Sequence, residues 1–566
     1  MTADYSFKHE QLGELTGLAR GSDVVQFRGI PFGRIPARFR QSTLIDQLPS
    51  QPFDARHPGP YCPQPFLAYP TYWDGPLPEG FPVLKAPEPD EFECLNLSIT
   101  APRSGLADST ASIPVLMFIH GGAFVGGSQS LSLAGREVFD GTNLVRNGLA
   151  RATPLIVVTL NYRLGPLGFL ASRELEALSR NNGESVGNYG LHDQARALDW
   201  VSRFIGGFGG DPDNVTLHGT SAGGSSVHYQ AIFRDRKFKR AILSSGTLIG
   251  IGPRNMNEHQ AKFEGYVAKF RKSTSAEIPP VELLQSIPVD DLVCPVTPGI
   301  FNPLIDGDWI PGGTMDSIPI DGSLEMIIGA CAFEQDLGEF LLLDMETNQP
   351  LPDAKMLSAA RDVFSANGML SGDDAQSFPS NQPAVAAAYG IEGAALERPS
   401  TNIDGWAALI ADVAFRIAPV YVAAEASKRR RAAAAAAAGG IFVYEIAATN
   451  PFPKWAWGYG KANHGVNDVL LFDVAGDQVP AEHRDEWRPA AAALQAAWLD
   501  FCHGRRPWEP LAAVGDGEKL GPVYRFENGG SGGRLCHSLE DLVGEKVARR
   551  WRAVLNASRG FEKRES

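Results

Sequence analysis

Three short runs of continuous apolar residues are the strongest pattern in the chain. Ile113–Ile119 (IPVLMFI) ends in His120-Gly121-Gly122-Ala123-Phe124, Leu155–Leu160 (LIVVTL) ends in Asn161-Tyr162-Arg163, and Asn214–His218 (NVTLH) ends in Gly219. Runs of this length, apolar at every position, predict strands buried on both faces. Between the last two, Leu191, Ala195, Leu198, Val201 and Ile205 recur at helical spacing, which predicts a helix over residues 188–204. Further strands are predicted at Lys239–Ser245, Met326–Gly329 and Ile441–Ile446, and an amphipathic helix at Arg484–Phe501. Apolar strands alternating with helices predict an α/β architecture, a mostly parallel central sheet covered by helices on both faces.

The flanking patterns differ. Gly13–Pro31 alternates around Gly21-Ser22-Asp23 and predicts an N-terminal β-hairpin or meander. Arg40–Asp90, dense in proline, predicts a long surface loop. Residues from about 250 to 440 are less regular and read as helical insert material laid over the C-terminal edge of the sheet. Within them Arg429–Gly440 (RRRAAAAAAAGG) is of low complexity and reads as a solvated insert. No linker separates two cores, so residues 1–566 are read as one domain.

Composition narrows the function. The 566 residues are 44% hydrophobic and 20% charged, ordinary for a globular protein, and the formal net charge is −14. An acidic chain lacks the basic footprint of a nucleic-acid partner. No signal-like segment opens the chain and no run reaches the roughly 18 apolar residues of a membrane span, so a cytoplasmic protein without stable membrane insertion is expected. None of the six cysteines forms a Cys-x-x-Cys pair, which gives no sign of structural zinc. Cys62 and Cys94 flank the proline-rich loop and could be bridged, although two free thiols suit a cytosolic chain better.

The chemistry gathers at Gly219-Thr220-Ser221-Ala222-Gly223, which matches Gly-x-Ser-x-Gly directly after a predicted strand. A serine on a sharp strand-to-helix turn is strained, and small neighbours let the chain fold back beneath it. The neighbouring Ser225 and Ser226 read as structural. Gly121 and Gly122 expose unshielded backbone N–H groups after a strand. Together with the N–H of Ala222 they form a candidate oxyanion hole. The base should follow the nucleophile, and only His464, His483, His503 and His537 come late enough. His464 stands in a loop beyond the strand Ile441–Ile446, where a base is needed, whereas His483 and His503 read as surface residues. Glu334, five residues past Gly329, is the candidate acid, with Asp336 and Glu339 as alternatives. Trp73, Trp455 and Trp457 lie in loops that could line a substrate gorge or simply pack.

At this point the chain resembles the type-B carboxylesterase/lipase family, which includes the cholinesterases. The resemblance runs over nearly the whole length. It rests on Val25–Pro31 (VQFRGIP), Glu93–Leu97 (ECLNL), His120–Phe124, Asn161–Gly165 (NYRLG), Asn188–Gln194 (NYGLHDQ) and Phe208–Pro212 (FGGDP) leading into the serine turn. It implies an α/β-hydrolase fold with a deep gorge, and a Ser/Glu/His triad mapping onto Ser221, Glu334 and His464. It further implies hydrolysis of a small or medium apolar carboxylic ester through an acyl-serine, with no metal or organic cofactor. The opening of the chain looks most like intracellular fungal members. Two positions depart from the family: Thr220 stands where glutamate is frequent, and Gln335 where glycine usually follows the acid. Cys62 and Cys94 sit where secreted relatives carry a disulfide. The same triad would also serve an acyltransferase. A catalytically dead binding protein of this fold is the remaining alternative, and Ser221 and His464 speak against it. Oligomeric state is not legible.

Overall fold

In a computed structural model, the structure describes residues 2–562 except 66–76, 78–84, 86, 233–234, 273–277, 295–300, 313–323, 345–346, 348, 367–376, 433–439, 453–457 and 512–520. Among the described residues thirteen strands form one sheet: β1 (Thr2–His9), β2 (Gly13–Arg20), β3 (Val24–Pro31), β4 (Phe53–Asp54), β5 (Asn96–Pro102), β6 (Ile113–Ile119), β7 (Ile156–Leu160), β8 (Gly210–Thr220), β9 (Arg240–Ser244), β10 (Glu325–Cys331), β11 (Ile441–Ile446), β12 (Val523–Phe526) and β13 (Gly533–Cys536). The spatial order is β1-β2-β3-β5-β7-β6-β8-β9-β10-β11-β12-β13, with β4 beside β2. The run from β7 to β12 is parallel. The first strands and the last are antiparallel edges.

The apolar runs form strands because both sides of each find a core. In β6, Val115, Met117 and Ile119 enter one cluster while Leu116 and Phe118 enter the other. β11 divides in the same way, with Ile441 and Val443 on one side and Phe442, Tyr444 and Ile446 on the other. Helix α1 (Tyr189–Phe204) covers the first face with Leu191, Leu198, Trp200 and Val201. α7 (Arg484–Cys502) covers the second with Trp487, Leu494 and Trp498. Among the helices between them in sequence are α2 (Ala222–Ile232), α3 (Gln335–Leu342), α4 (Ile403–Ala411), α5 (Ala418–Ala432) and α6 (Val466–Phe472). A π-helical turn, Asp412–Ile417, joins α4 to α5. α8 (Leu539–Glu562) ends the described chain.

Several expectations shift. The hairpin of β2 and β3 is present, but the chain before it is also a strand, β1, laid antiparallel on β2. Strand β5 carries polar Asn96, Ser98 and Thr100, all buried; Asn96 bonds to Pro60 and Gln129, and Thr100 accepts from Gln26. The continuous segment Ile403–Ser427 is long and apolar enough to cross a membrane, contrary to the expectation that no segment reaches that threshold. Its apolar window is 83% buried inside the fold, and its interrupting charges, Asp412 and Arg416, pair with each other. Of the low-complexity segment, Arg429–Ala432 closes α5 and residues 433–439 lie outside the described residues, as do Trp73, Trp455 and Trp457. Cys62 and Cys94 are both buried free thiols in hydrogen-bond contact, which pushes the Cys94 thiol well up.

Candidate active site

β8 ends at Thr220, and the next residue turns sharply. Ser221 has φ 61°, a left-handed conformation that a non-glycine residue adopts only under local constraint. Its N–H donates to Ser244 O at 2.9 Å, and its carbonyl accepts from Ser225 N at 3.0 Å as α2 begins. The turn is crowded by backbone. A Cβ on Gly223 would stand 2.1 Å from Ile119 O, and one on Gly246 would stand 1.9 Å from Ser221 O. Thr220 and Ala222 are buried while Ser221 remains partly accessible.

The loop after β6 lies against this turn. A Cβ on Gly121 would meet Ser221 Cβ at 2.8 Å, and Gly122 holds φ 111°, so glycine is required there for both space and conformation. Tyr162 Oη donates to His120 O at 3.0 Å, and its ring stacks on the His120 ring. Gln64 clamps the loop's far end, accepting from Gly127 N at 2.7 Å and donating to Gly127 O at 3.0 Å. Burial lowers the His120 pKa to about 4, so this ring is neutral at pH 7.

β10 and β11 are neighbours in register from Met326↔Ile441 to Cys331↔Ile446, and the residues that follow them meet. Glu334 Oε2 lies 2.6 Å from His464 Nδ1, and Phe333 N donates to Ala462 O. Because a carboxylate only accepts, Nδ1 carries the hydrogen and Nε2 is left as the acceptor. Glu334 Oε1 accepts from Ser245 Oγ at 2.6 Å and from Cys331 N at 2.9 Å, so both oxygens of this buried acid are engaged. Burial disfavours the His464 imidazolium, but the charge and hydrogen bond of Glu334, with Asp336 and Asp468 nearby, outweigh it and raise the pKa above 6.5. Phe415 of the π-helical turn sets its ring edge-on to His464, centroids 5.6 Å apart. Among the described residues no group of His, Cys, Asp and Glu could hold a metal ion.

The carboxylesterase family profile matches residues 8–509. The chain belongs to the carboxylesterase family. Among its curated relatives it is 33% identical over 245 residues to Lipase 1 of Yarrowia lipolytica, covering 42% of this chain and 45% of that protein. It is 36% identical over 244 residues to the bile salt-activated lipase of Bos taurus, covering 41% and 34%. It is 35% identical over 257 residues to the para-nitrobenzyl esterase of Bacillus subtilis, covering 44% and 45%. The matched stretches thus span less than half the length of each of these three relatives. A solved thermophilic PNB esterase superposes with TM-score 0.70 at 23% identity, over 96% of this chain and 100% of that one. That likeness establishes the α/β-hydrolase fold.

In this carboxylesterase-family chain the two alternative acids stand apart from the imidazole ring. Asp336 Oδ1 accepts from the main-chain N–H of Leu337, and Glu339 accepts from Gln335. Ser225 and Ser226 bond to the carbonyls of Thr247 and Ala222, as structural serines do. His483 and His503 lie partly exposed at the two ends of α7, and His537 is exposed. Sequence reading missed Ser245, Gln64, Phe415 and Asp468. Ser245-Gly246 directly after the strand β9 was the one local signal, a second tight turn beside the first.

Proposed function

We propose that this chain hydrolyses carboxylic esters through an acyl-serine, with Ser221 as nucleophile, His464 as base and Glu334 as the acid that orients it. The reading rests chiefly on the 2.6 Å contact of Glu334 with His464 Nδ1, which leaves Nε2 as a base at the end of the strand bundle that carries the strained Ser221. His464 Nε2 takes the Ser221 proton as Oγ attacks the ester carbonyl. The oxyanion is stabilised by the N–H groups of Gly121, Gly122 and Ala222. Collapse expels the alcohol, which receives that proton from His464. A water deprotonated by His464 then releases the acid and restores the serine.

Small or medium apolar esters are the proposed substrates. Family membership, and relatives named as lipases and esterases, support that class. The chain is read as one catalytic unit, because strands from Thr2 to Cys536 share a single sheet. The test is fluorophosphonate labelling with peptide mapping on wild type and Ser221→Ala, together with turnover of a p-nitrophenyl ester. A single adduct on the Ser221 peptide is expected, with a loss of roughly six orders of magnitude in kcat for the variant. A variant rate within tenfold of wild type overturns the assignment.

A further inference from the structure

A second buried carboxylate stands between the serine turn and the histidine loop. Asp468 lies in the first turn of α6, four residues beyond His464. Its Oδ1 accepts from Thr220 Oγ1 at 2.7 Å and from Asn467 Nδ2 at 2.9 Å, while Asn467 Nδ2 also reaches Thr220 Oγ1 at 3.0 Å. This three-membered network ties the residue before the proposed nucleophile to the helix that begins just after the proposed base. The tie spans 248 residues of chain and is closed to solvent, since Thr220, Asn467 and Asp468 are all buried.

We infer that Asp468 is a positioning residue which, through the Thr220 hydroxyl, holds the Ser221 turn against the His464 loop and adds an anion, beside Glu334 and Asp336, that helps to set the pH range in which the site works. This rests on the function proposed above. The geometry gives Asp468 no cation of its own. Its listeners are a hydroxyl, a neutral amide and the His464 ring, whose positive charge is the one that favours its ionised form. Desolvation pushes the Asp468 pKa up to about 7, against the Thr220 hydrogen bond and the His464 charge. Ionised Asp468 in turn supports the His464 imidazolium, beside Glu334 and Asp336. Three neutral groups lie on the elements packed nearby. Tyr444 of β11 is held protonated by burial and donates to Ser244 Oγ, and the Gln495 amide of α7 reaches α6 at the carbonyls of Leu470 and Leu471. From the helix Thr142–Ala150, the Asn143 amide reaches the Asp473 carbonyl. Thr220 is the partner this arrangement requires: its hydroxyl donates to the carboxylate, which an acid at that position could do only when protonated.

Asp468→Asn keeps an acceptor for Thr220 and removes only the charge. The experiment measures the pH dependence of the fluorophosphonate labelling rate of Ser221, and of kcat/KM for p-nitrophenyl acetate, in wild type, Asp468→Asn, Thr220→Val and Thr220→Ser. In Asp468→Asn the acid limb is expected to move down by about one pH unit, the size of effect one nearby opposite charge commonly exerts. Thr220→Val, which strips the ionised carboxylate of its donor, is expected to move the limb the same way by less, and Thr220→Ser to leave it in place. A structural role alone would change rates or stability without moving the limb. An adduct on wild-type Ser221 with unmoved limbs in Asp468→Asn and Thr220→Val overturns this inference and leaves the proposed function standing. No adduct on folded wild type overturns both. Should Asp468→Asn fail to fold, the contrast between Thr220→Val and Thr220→Ser decides alone.

Discussion

Glu334→Gln separates the role of the acid from its packing. The amide has nearly the shape of the carboxylate and can still present an oxygen to Ser245 Oγ and Cys331 N, the two donors now held at 2.6 and 2.9 Å. Its NH2 then faces His464 Nδ1 across a contact that is 2.6 Å in the wild type. Two donors cannot share that contact, so Nδ1 must become the acceptor and the hydrogen moves to Nε2. On the proposed mechanism the ring then offers Ser221 a hydrogen and cannot take one. In serine–histidine–carboxylate enzymes this exchange lowers kcat by about four orders of magnitude, equivalent to roughly 5.4 kcal/mol at about 1.36 kcal/mol per decade. Asp336 is a poor substitute, because its Oδ1 is engaged by the Leu337 N–H and burial beside Glu334 pushes its pKa up to about 7. The assay is kcat for a p-nitrophenyl ester near pH 8, with near-ultraviolet circular dichroism to establish that the variant is folded. A folded variant retaining more than a tenth of wild-type kcat would refute the assignment of Glu334 and the tautomer argument with it.

Further outcomes follow from particular contacts. Because the His464 pKa is raised, the neutral base is lost on the acid side early, and kcat/KM should begin to fall at a pH above 6.5. The same raised pKa contributes stability that is full below the unfolded value of 6.5 and is lost as pH rises through the folded value, so this group's stability and activity run in opposite directions. Gly223→Ala must move Ile119 O away from a Cβ that would sit at 2.1 Å, and a displacement of that order should slow Ser221 labelling by about 100-fold; a rate near wild type would contradict the crowding. Asp473 is pushed up to about 7 by desolvation and by Asp477, so it disfavours the fold as pH rises from its unfolded 3.8 through 7. Asp473→Asn should therefore raise Tm at pH 8 and match wild type near pH 4. Glu445→Ala would take from the buried Arg416 one of its two carboxylates, the one at 3.1 Å, and leave Asp412 at 2.9 Å, so it should destabilise by about 1.5–3 kcal/mol in urea unfolding.

Much of the sheet was legible because its strands are buried on both faces and apolar throughout. Ile113–Ile119 and Ile441–Ile446 end at the residues where the runs end. Asn96–Pro102 was not legible as a strand, because its buried Asn96 and Thr100 are satisfied by Pro60, Gln129 and Gln26, partners distant in sequence. The residues proposed to carry the chemistry were readable from local turn and strand context. Asp468 was not: it sits four residues from His464, but what gives it meaning is Thr220 on another strand. The π-helical turn was equally hidden, since the wider turn that aims Phe415 at His464 leaves no mark on composition.

The pairing of β10 with β11 also bears on how this fold can change over time. Glu334 and His464 are 130 residues apart in sequence, yet both hang from the ends of two strands locked side by side, and everything between them is a detour that leaves the sheet and returns to it. The closure entropy of such a detour rises only logarithmically, by about 0.6 kcal/mol for each doubling of its length. Helices in the detour can therefore be lengthened, shortened or exchanged at small thermodynamic cost while the carboxylate and imidazole keep their register. New substrate preferences are most accessible by rebuilding that excursion, and a library confined to residues 335–440 that spares Phe415 samples roof shapes without disturbing the pair it shelters.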